Sequence, residues 1–341
     1  MRRTERYLSA GRFAGVLAAG VALWLAAGAV CLFVGQVSVG PADVVRVLWG
    51  DQEASRAANV LLMLRLPRVL LGLLAGGGLA VAGAVFQALL RNPLATPHTL
   101  GVSSAAALGA VVAICLGLPG PPGGPFTAVQ FFALAGGLLD VGVIYLLARR
   151  KEVFSPLKLL LAGVTMGLIC SAMIMFVRFL SDPMKLVVVD RWLMGGLDVH
   201  GFRSLAAVLP IVLPALAVLL TEANAMNQLS MGEEMAAGRG VDVAAVQKEA
   251  FIAGSILTAA IVSVAGPIGF VGLIVPHLLR SLFGPDHRLL LFLCFFGGGV
   301  FLAAADAVAR SVVAPSELPV GVLTAMLGGP FFLVLLMRRL R

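Results

Sequence analysis

Ten times along the sequence, about twenty residues pass with almost no charge, which is the length an α-helix needs to cross the hydrocarbon core of a bilayer. These runs lie near 13–36, 61–90, 97–118, 126–148, 157–180, 204–222, 247–265, 267–283, 288–309 and 318–337. Only 12% of the 341 residues are charged and the mean hydropathy is +1.02, whereas a soluble domain carries about 25% charged residues. So little charge cannot cover a soluble particle of 35.3 kDa. That excludes a cytosolic enzyme, a disordered chain and a nucleic-acid-binding domain. The net charge of +8 does not reopen the last class. The basic residues flank apolar runs and form no stripe, and two tyrosines leave little for base stacking. A transmembrane barrel would alternate apolar and polar residues, and these runs are continuous. The sequence therefore predicts an all-α polytopic membrane protein of about ten spans, in a single domain over 1–341. The first run follows Arg2, Arg3, Arg6 and Arg12, is too long for a signal-peptide core and is read as a retained span.

An even number of spans puts both termini on one side. With the termini inside, the inner segments hold 16 of the 25 Lys and Arg residues, with tight clusters at 149–151 and 338–341. That excess is the one the positive-inside rule requires, so both termini are expected to be cytoplasmic. Two outer loops are long, 37–58 and 181–203. The first reads as a small surface helix begun by Pro41. PGPPGG at 119–124 is a turn. Inside, 223–247 is the only long polar connector; GEEMAA gives one or two helical turns, broken by Gly238 and Gly240.

The chain has 40 glycines, with Gly72 and Gly76 in GxxxG spacing and a triplet at Gly297, Gly298 and Gly299. Small residues of this kind let helices approach closely in lipid. None makes a phosphate cradle: there is no GxxxxGK[ST], and GK never occurs. Two glycine-rich spans run into Pro-interrupted segments, NPLATPH at 92–98 and GPIGFVGLIVPH at 266–277. Matching interruptions in the two halves hint at an inverted repeat.

Asp140, Arg178 and Asp306 are ionisable residues within or near the spans. Each is costly in lipid and should face protein or a wet cavity, or snorkel at a span end. Arg178 is alternatively an attractor of anionic substrate. Cys31, Cys115, Cys170 and Cys294 are each alone in an apolar run and read as small buried hydrophobes. His98, His200, His277 and His287 show no metal spacing, so no metal site is expected.

Several stretches in order resemble one family, the permease subunits of iron–siderophore, haem and vitamin B12 ABC importers. They are RLPRVLLGLLAGGGLAVAGAVFQALLRNPLATPHTLGVSSAAALGA at 65–110, LLLAGV at 159–164, RWLMGGL at 191–197, GPIGFVGLIVPHLLRSLFGPDHRLLL at 266–291 and ELPVGVLTAMLGGPFFLVLLMRR at 317–339. The resemblance implies a bacterial or archaeal cytoplasmic (inner) membrane location. It implies a second permease copy, in a homodimer, around a central pathway. It also implies two separate ATPase subunits that carry ATP and Mg, and an extracytoplasmic binding protein. No cofactor or metal is implied on this chain, which would be a translocation subunit and not an enzyme.

The resemblance also assigns roles. Arg65, Arg68 and Arg310 match the arginines that grip acidic residues of the binding protein; an arginine at a span end is otherwise a headgroup anchor. Asn92 and Leu94, with Ser155 and Pro156, match the cytoplasmic gate, where an apolar Leu94 doubled by the dimer axis would exclude water; the plain alternative is a helix-to-helix turn. Gly232, Glu233, Glu234, Ala236 and Gly240 match the coupling helices that rest on the ATPase. Thr96, His98 and Arg239 depart from the family pattern, the first two at the gate and the last at one ATPase contact. Two rivals stand beside this reading. One is an ion-coupled secondary transporter of a small organic solute. The other is an intramembrane enzyme, for which the sequence offers no paired nucleophile and base.

Overall fold

The computed structural model describes residues 10–35, 40, 46, 49, 58–148, 156–313 and 316–339. Among them the chain is helical and has no strand. Ten apolar helices account for the ten runs. They are α1 (Ala10–Phe33), α2 (Leu66–Leu89), α3 (Val102–Leu116), α4 (Ala128–Ala148), α5 (Pro156–Phe179), α7 (Arg203–Thr221), α10 (Val243–Ala265), α11 (Val271–Phe283), α12 (His287–Val312) and α13 (Val320–Arg339). Seven are long enough to span a bilayer outright; α3, α11 and α13 are shorter apolar helices. Three small helices sit between them: α6 (Pro183–Leu193), α8 (Ala223–Leu229) and α9 (Glu233–Gly238).

The structure corrects two of the expected spans. Residues 97–118 and 267–283 do not begin as α-helix. Pro97–Leu100 is a 3-10 turn, and Gly101 then takes a left-handed φ of 79°, so α3 starts only at Val102. Likewise Gly266 (φ 66°) and Phe270 (φ 67°) hold the chain out of helix until Val271. Thr96 suits this break: its carbonyl accepts from Thr99 Oγ1 at 2.7 Å, and its N–H donates back to that hydroxyl at 3.2 Å. The loop 181–203 contains α6, which the Asp-Pro pair starts. Asp182 is the N-cap and accepts from Met184 N–H at 2.8 Å, and Pro183 fills N1. The surface helix expected in 37–58 lies almost wholly outside the described residues.

Helix α2 is the hub. It continues from a π-helical turn at Val60–Arg65 and is nearly all buried. It packs on α12 along its length, and on α10, α11, α7 and α1. The approach is close because glycine faces glycine. A Cβ on Gly76 would strike the Gly298 carbonyl, and one on Gly83 the Gly272 carbonyl. The two Pro-interrupted segments therefore meet. Gln87 Nε2 donates to Gly272 O at 3.1 Å, and His98 Nε2 to Ile268 O at 3.3 Å. A second group, α3, α4 and α5, packs against α10. The four cysteines are buried and free.

The periphery is greasy. Leu168, Met175 and Phe176 of α5, and Met326 and Leu333 of α13, are exposed. Faces like these require lipid or another apolar surface.

Gly83→Ala is expected to lower the melting temperature in detergent, at a cost of about 1–3 kcal/mol for overpacking, because its Cβ has no room beside Gly272. Gly142→Ala, where an added Cβ meets nothing within 4 Å, should leave it unchanged. A thermal scan of the two variants separates them; equal melting would refute the tight approach.

Candidate functional site

At one end of the bundle, the RLPR motif puts Arg65 and Arg68 on one face of the α2 entrance, three residues apart. The same spacing logic puts Asp306 and Arg310 one turn apart on α12. Because α2 and α12 pack together, the four side chains converge. Arg68 Nη2 lies 3.0 Å from Asp306 Oδ1, and Arg310 Nε 3.1 Å from Asp306 Oδ2. Arg68 Nη1 also reaches Glu317 Oε2 at 2.6 Å and Asp198 Oδ1 at 3.3 Å. Arg191 Nη2 holds the other Asp198 oxygen at 3.0 Å. A cleft of about 320 Å³ opens over this cluster, lined by Arg65, Arg68, Arg191, Asp198, His200 and Glu317 among others.

Two of these arginines also finish a helix. Arg65 Nη1 donates to Leu32 O at 2.9 Å, and Arg310 Nη2 to Cys31 O at 3.3 Å. The last carbonyls of α1 have no partner within their helix and sit at its negative end, so two cations there serve as a C-cap.

The structure thus brings Arg65, Arg68 and Arg310 together, but not as exposed side chains. Arg65 and Arg310 are 5% and 4% accessible, and the Arg68 side chain 12%. They form the cleft floor, already engaged by carboxylates and carbonyls of their own chain. The accessible charges are at the rim: Arg191 with a side chain 70% exposed, and Asp198 with 43%. Sequence reasoning missed Arg191, Asp198 and Glu317, which the fold alone brings to Arg68. Of the expected alternatives for Asp306, a charge facing protein or one snorkelling at a span end, the structure has the first: Asp306 is buried as the counter-ion of two arginines.

The remaining intramembrane charges differ from one another. Arg178 pairs with Asp190 of α6 at 2.6 Å, so it is not a bare cation. Asp140 is fully buried, and neither carboxylate oxygen has a hydrogen-bond partner among the described residues. A Cβ on Gly101 would lie 3.2 and 3.3 Å from those oxygens. Asp140 therefore faces the positive N-terminal end of α3.

At the opposite end lie the turn after α2 and the connector 223–247. Asn92 Oδ1 accepts from Leu94 N–H at 3.0 Å, and Leu94 projects exposed from this turn. Pro156 is the first residue of α5; Ser155 lies outside the described residues. In the connector, Gly232 (φ 132°) precedes α9 and Gly240 (φ 82°) ends it. The ending is a Schellman motif: Val241 N–H donates to Ala236 O and Gly240 N–H to Ala237 O. Ala236 is buried, while Met231, Glu234, Met235 and Arg239 are exposed. A small helix with one anchored and one open face results. Glu233 points back into the bundle. It pairs with Arg91 Nη2 at 2.9 Å and accepts from Gln247 Nε2 at 3.2 Å.

The connector is braced again through α8. Asn227 Nδ2 donates to Asp286 Oδ1 at 2.7 Å, and the His287 N–H donates to Asn227 Oδ1 at 2.8 Å. Burial works against the Asp286 carboxylate, but hydrogen bonds from Arg288 and Asn227 outweigh it and hold its pKa below the ordinary value. This brace therefore contributes above the usual carboxylate range and is lost as pH falls through the lowered value.

Asp306→Ala is expected to destabilise the fold by about 3–5 kcal/mol, since it strands buried guanidinium groups without a counter-charge. Glu317→Ala, at the half-open rim, should cost no more than about 1 kcal/mol. Melting of both variants in detergent checks the order; a reversal would place the essential counter-ion at the rim.

Comparisons with known proteins cover nearly all of the architecture above. Residues 23–338 match the model of the FecCD transport family. The hemin transport system permease of Yersinia pestis is 38% identical over 311 residues, 91% of this chain and 93% of that protein. The cobalamin import system permease of Halobacterium salinarum is 44% identical over 276 residues, 81% and 73% of the two chains. A solved structure described as an inward-facing conformation of a metal-chelate type ABC transporter superposes with a TM-score of 0.81 at 30% identity, covering 95% of this chain and 99% of that one. On these similarities the chain, a polytopic helical membrane protein, belongs to the FecCD transport family.

Proposed function

We propose that this chain is the transmembrane permease subunit of an ATP-binding-cassette importer for a metal chelate: haem, cobalamin or a ferric siderophore. The observation that carries the reading is the agreement along the whole chain with the metal-chelate type transporter fold at a TM-score of 0.81. Its relatives include permeases named for hemin and for cobalamin. The sequence has no phosphate-binding loop of the P-loop kind, which suits a chain whose ATP and Mg are bound by two separate ATPase subunits.

The two ends of the bundle divide the work. The excess of Lys and Arg on the inner segments favours cytoplasmic termini in the cytoplasmic membrane of a bacterium or archaeon. On that orientation the arginine cleft is extracytoplasmic and receives the binding protein. Arg65, Arg68 and Arg310 then supply a positive floor, and docking carboxylates compete with Asp198 and Glu317 for Arg68. Such contacts set register and on-rate more than affinity. The exposed faces of α5 and α13 suit a second copy across a central pathway. Asn92, Leu94, Ser155 and Pro156 close that pathway on the cytoplasmic side. Helix α9, with Gly232 and Gly240 at its ends, rests its open face of Glu234 and Met235, and Met231 just before it, on the ATPase, and Ala236 anchors it.

The rival reading, an ion-driven carrier, needs no partner chain. Vesicles holding this protein with its ATPase should accumulate haemin or cyanocobalamin only when ATP and a binding protein are supplied. Vesicles with the permease alone should accumulate neither under any ion gradient. Uptake by the lone chain would refute the proposal. In the same vesicles Arg68→Glu should cut binding-protein-dependent uptake at least tenfold, of the order seen when a buried charge pair is broken.

A further inference from the structure

We propose that Arg91 is the residue through which α9 grips the gate turn: its ion pair with Glu233 transmits displacement of the ATPase-facing helix to Asn92 and Leu94. This rests on the reading of α9 as the coupling helix and of 92–94 as gate.

The geometry has three parts. First, the end of α2 is fixed. Gln87 donates to Gly272 O at 3.1 Å and accepts from Arg280 Nη1 at 3.0 Å, so the last turn of α2 is locked to α11. Movement of α9 therefore cannot be taken up by α2 itself. Second, the chain just beyond that lock forms a Schellman motif. Asn92 N–H donates to Gln87 O at 3.1 Å and Arg91 N–H to Ala88 O at 3.2 Å, which puts Arg91 at the left-handed position with φ 45°. Glycine is the usual residue there, and a side chain costs local strain. An arginine held in that conformation is an outlier that invites a functional reading.

Third, the strained residue aims its guanidinium at the coupling helix. Arg91 Nη2 and Glu233 Oε1 are 2.9 Å apart. Glu233 sits in the first turn of α9, and the same oxygen accepts from Gln247 Nε2, a fully buried amide on α10. One carboxylate oxygen thus joins the gate turn, the coupling helix and the scaffold. The side chains of Arg91 and Glu233 are 40% and 31% exposed, so the pair is weak enough to be remade in each cycle. Leu94 is three residues from Arg91, and its own N–H is tied to Asn92. A shift of α9 reaches Leu94 through a single tight turn.

Three variants separate this role from mere folding. Glu233→Gln keeps an acceptor for Gln247 and removes only the charge. Arg91→Gly removes the guanidinium while giving the turn the residue its backbone favours. The exchange Arg91→Glu with Glu233→Arg reverses the pair. In the full-length permease in lipid nanodiscs without ATPase, Glu233→Gln should speed amide hydrogen exchange of the 92–95 turn about two- to fivefold, the range an exposed ion pair spans. The exchange variant should return to the wild-type rate. In the reconstituted complex, both single variants should raise the ATP hydrolysed per haemin or cyanocobalamin delivered by a similar factor, and the exchange variant should restore it.

Unchanged amide exchange in Glu233→Gln would overturn the proposal whatever transport does. So would a wild-type ATP-to-cargo ratio in both single variants, or an exchange variant no better than they are. If the wild-type complex moves none of haemin, cyanocobalamin and a ferric siderophore on ATP, the importer reading fails instead, and the amide-exchange arm still decides whether the pair holds the turn.

Discussion

The close backbone contact of α2 with α12 and α11 governs everything else in this protein. Lipid tails are as apolar as leucine, so helices in a bilayer gain little from burying hydrophobic surface and associate by packing. Here Gly76 meets Gly298, and Gly83 meets Gly272, with no room for a methyl group at either place. Those contacts fix the relative height of three helices. That height brings Arg68 opposite Asp306 at one end of α2, and Gln87 opposite Gly272 and Arg280 at the other. A shift of one turn, about 5.4 Å, would separate both sets.

The charge cluster at the first end shows how a membrane protein hides ionised groups. Asp306 is buried with two guanidinium groups, and the second functions of Arg65 and Arg310 are to cap α1. Every member satisfies another, as buried polar groups require. The same economy explains why the arginines are not surface features. A partner that presents carboxylates to this cleft meets Arg191 first, and reaches Arg68 only by displacing Asp198 or Glu317.

Hydropathy made the ten helices legible, because a span has to be apolar for about 20 residues whatever its neighbours are. The interruptions were visible as prolines, yet the starts of α3 and α11 were not. Their late starts depend on left-handed residues at Gly101, Gly266 and Phe270, and a phenylalanine carries no sequence sign of that conformation. Helix α6 was missed although Asp182 and Pro183 form a recognisable start. Within the connector, of the two expected breaks only Gly240 has a positive φ; Gly238 is still helical, and the break before the helix falls at Gly232, which the spacing did not single out. The arginines of RLPR could be identified as a group, but their burial could not, since it comes from Asp306 some 240 residues away in sequence. Arg91 counted only as one more inner positive charge. Its partner lies on another helix, and no spacing rule links residues 91 and 233.

The ion pairs at the two ends of α2 differ in how deeply they are buried, and that difference has a mechanical consequence. Breaking a buried pair such as Arg68–Asp306 costs about 3–5 kcal/mol, because a charge is stranded in a dry site. Breaking an exposed pair such as Arg91–Glu233 costs about 0.2–1 kcal/mol, because water takes over both charges. Load passed through Arg91 therefore moves the turn beyond α2, while the cleft, the glycine contacts and the Gln87 lock hold their geometry. A helix held at both ends is a fixed post beside which a turn can swing. Asp140 fits the same division. Its carboxylate lies on α4, against the start of α3 that directly follows this turn, so a displacement of residues 92–100 would change the environment of a buried acid that has no hydrogen-bond partner among the described residues.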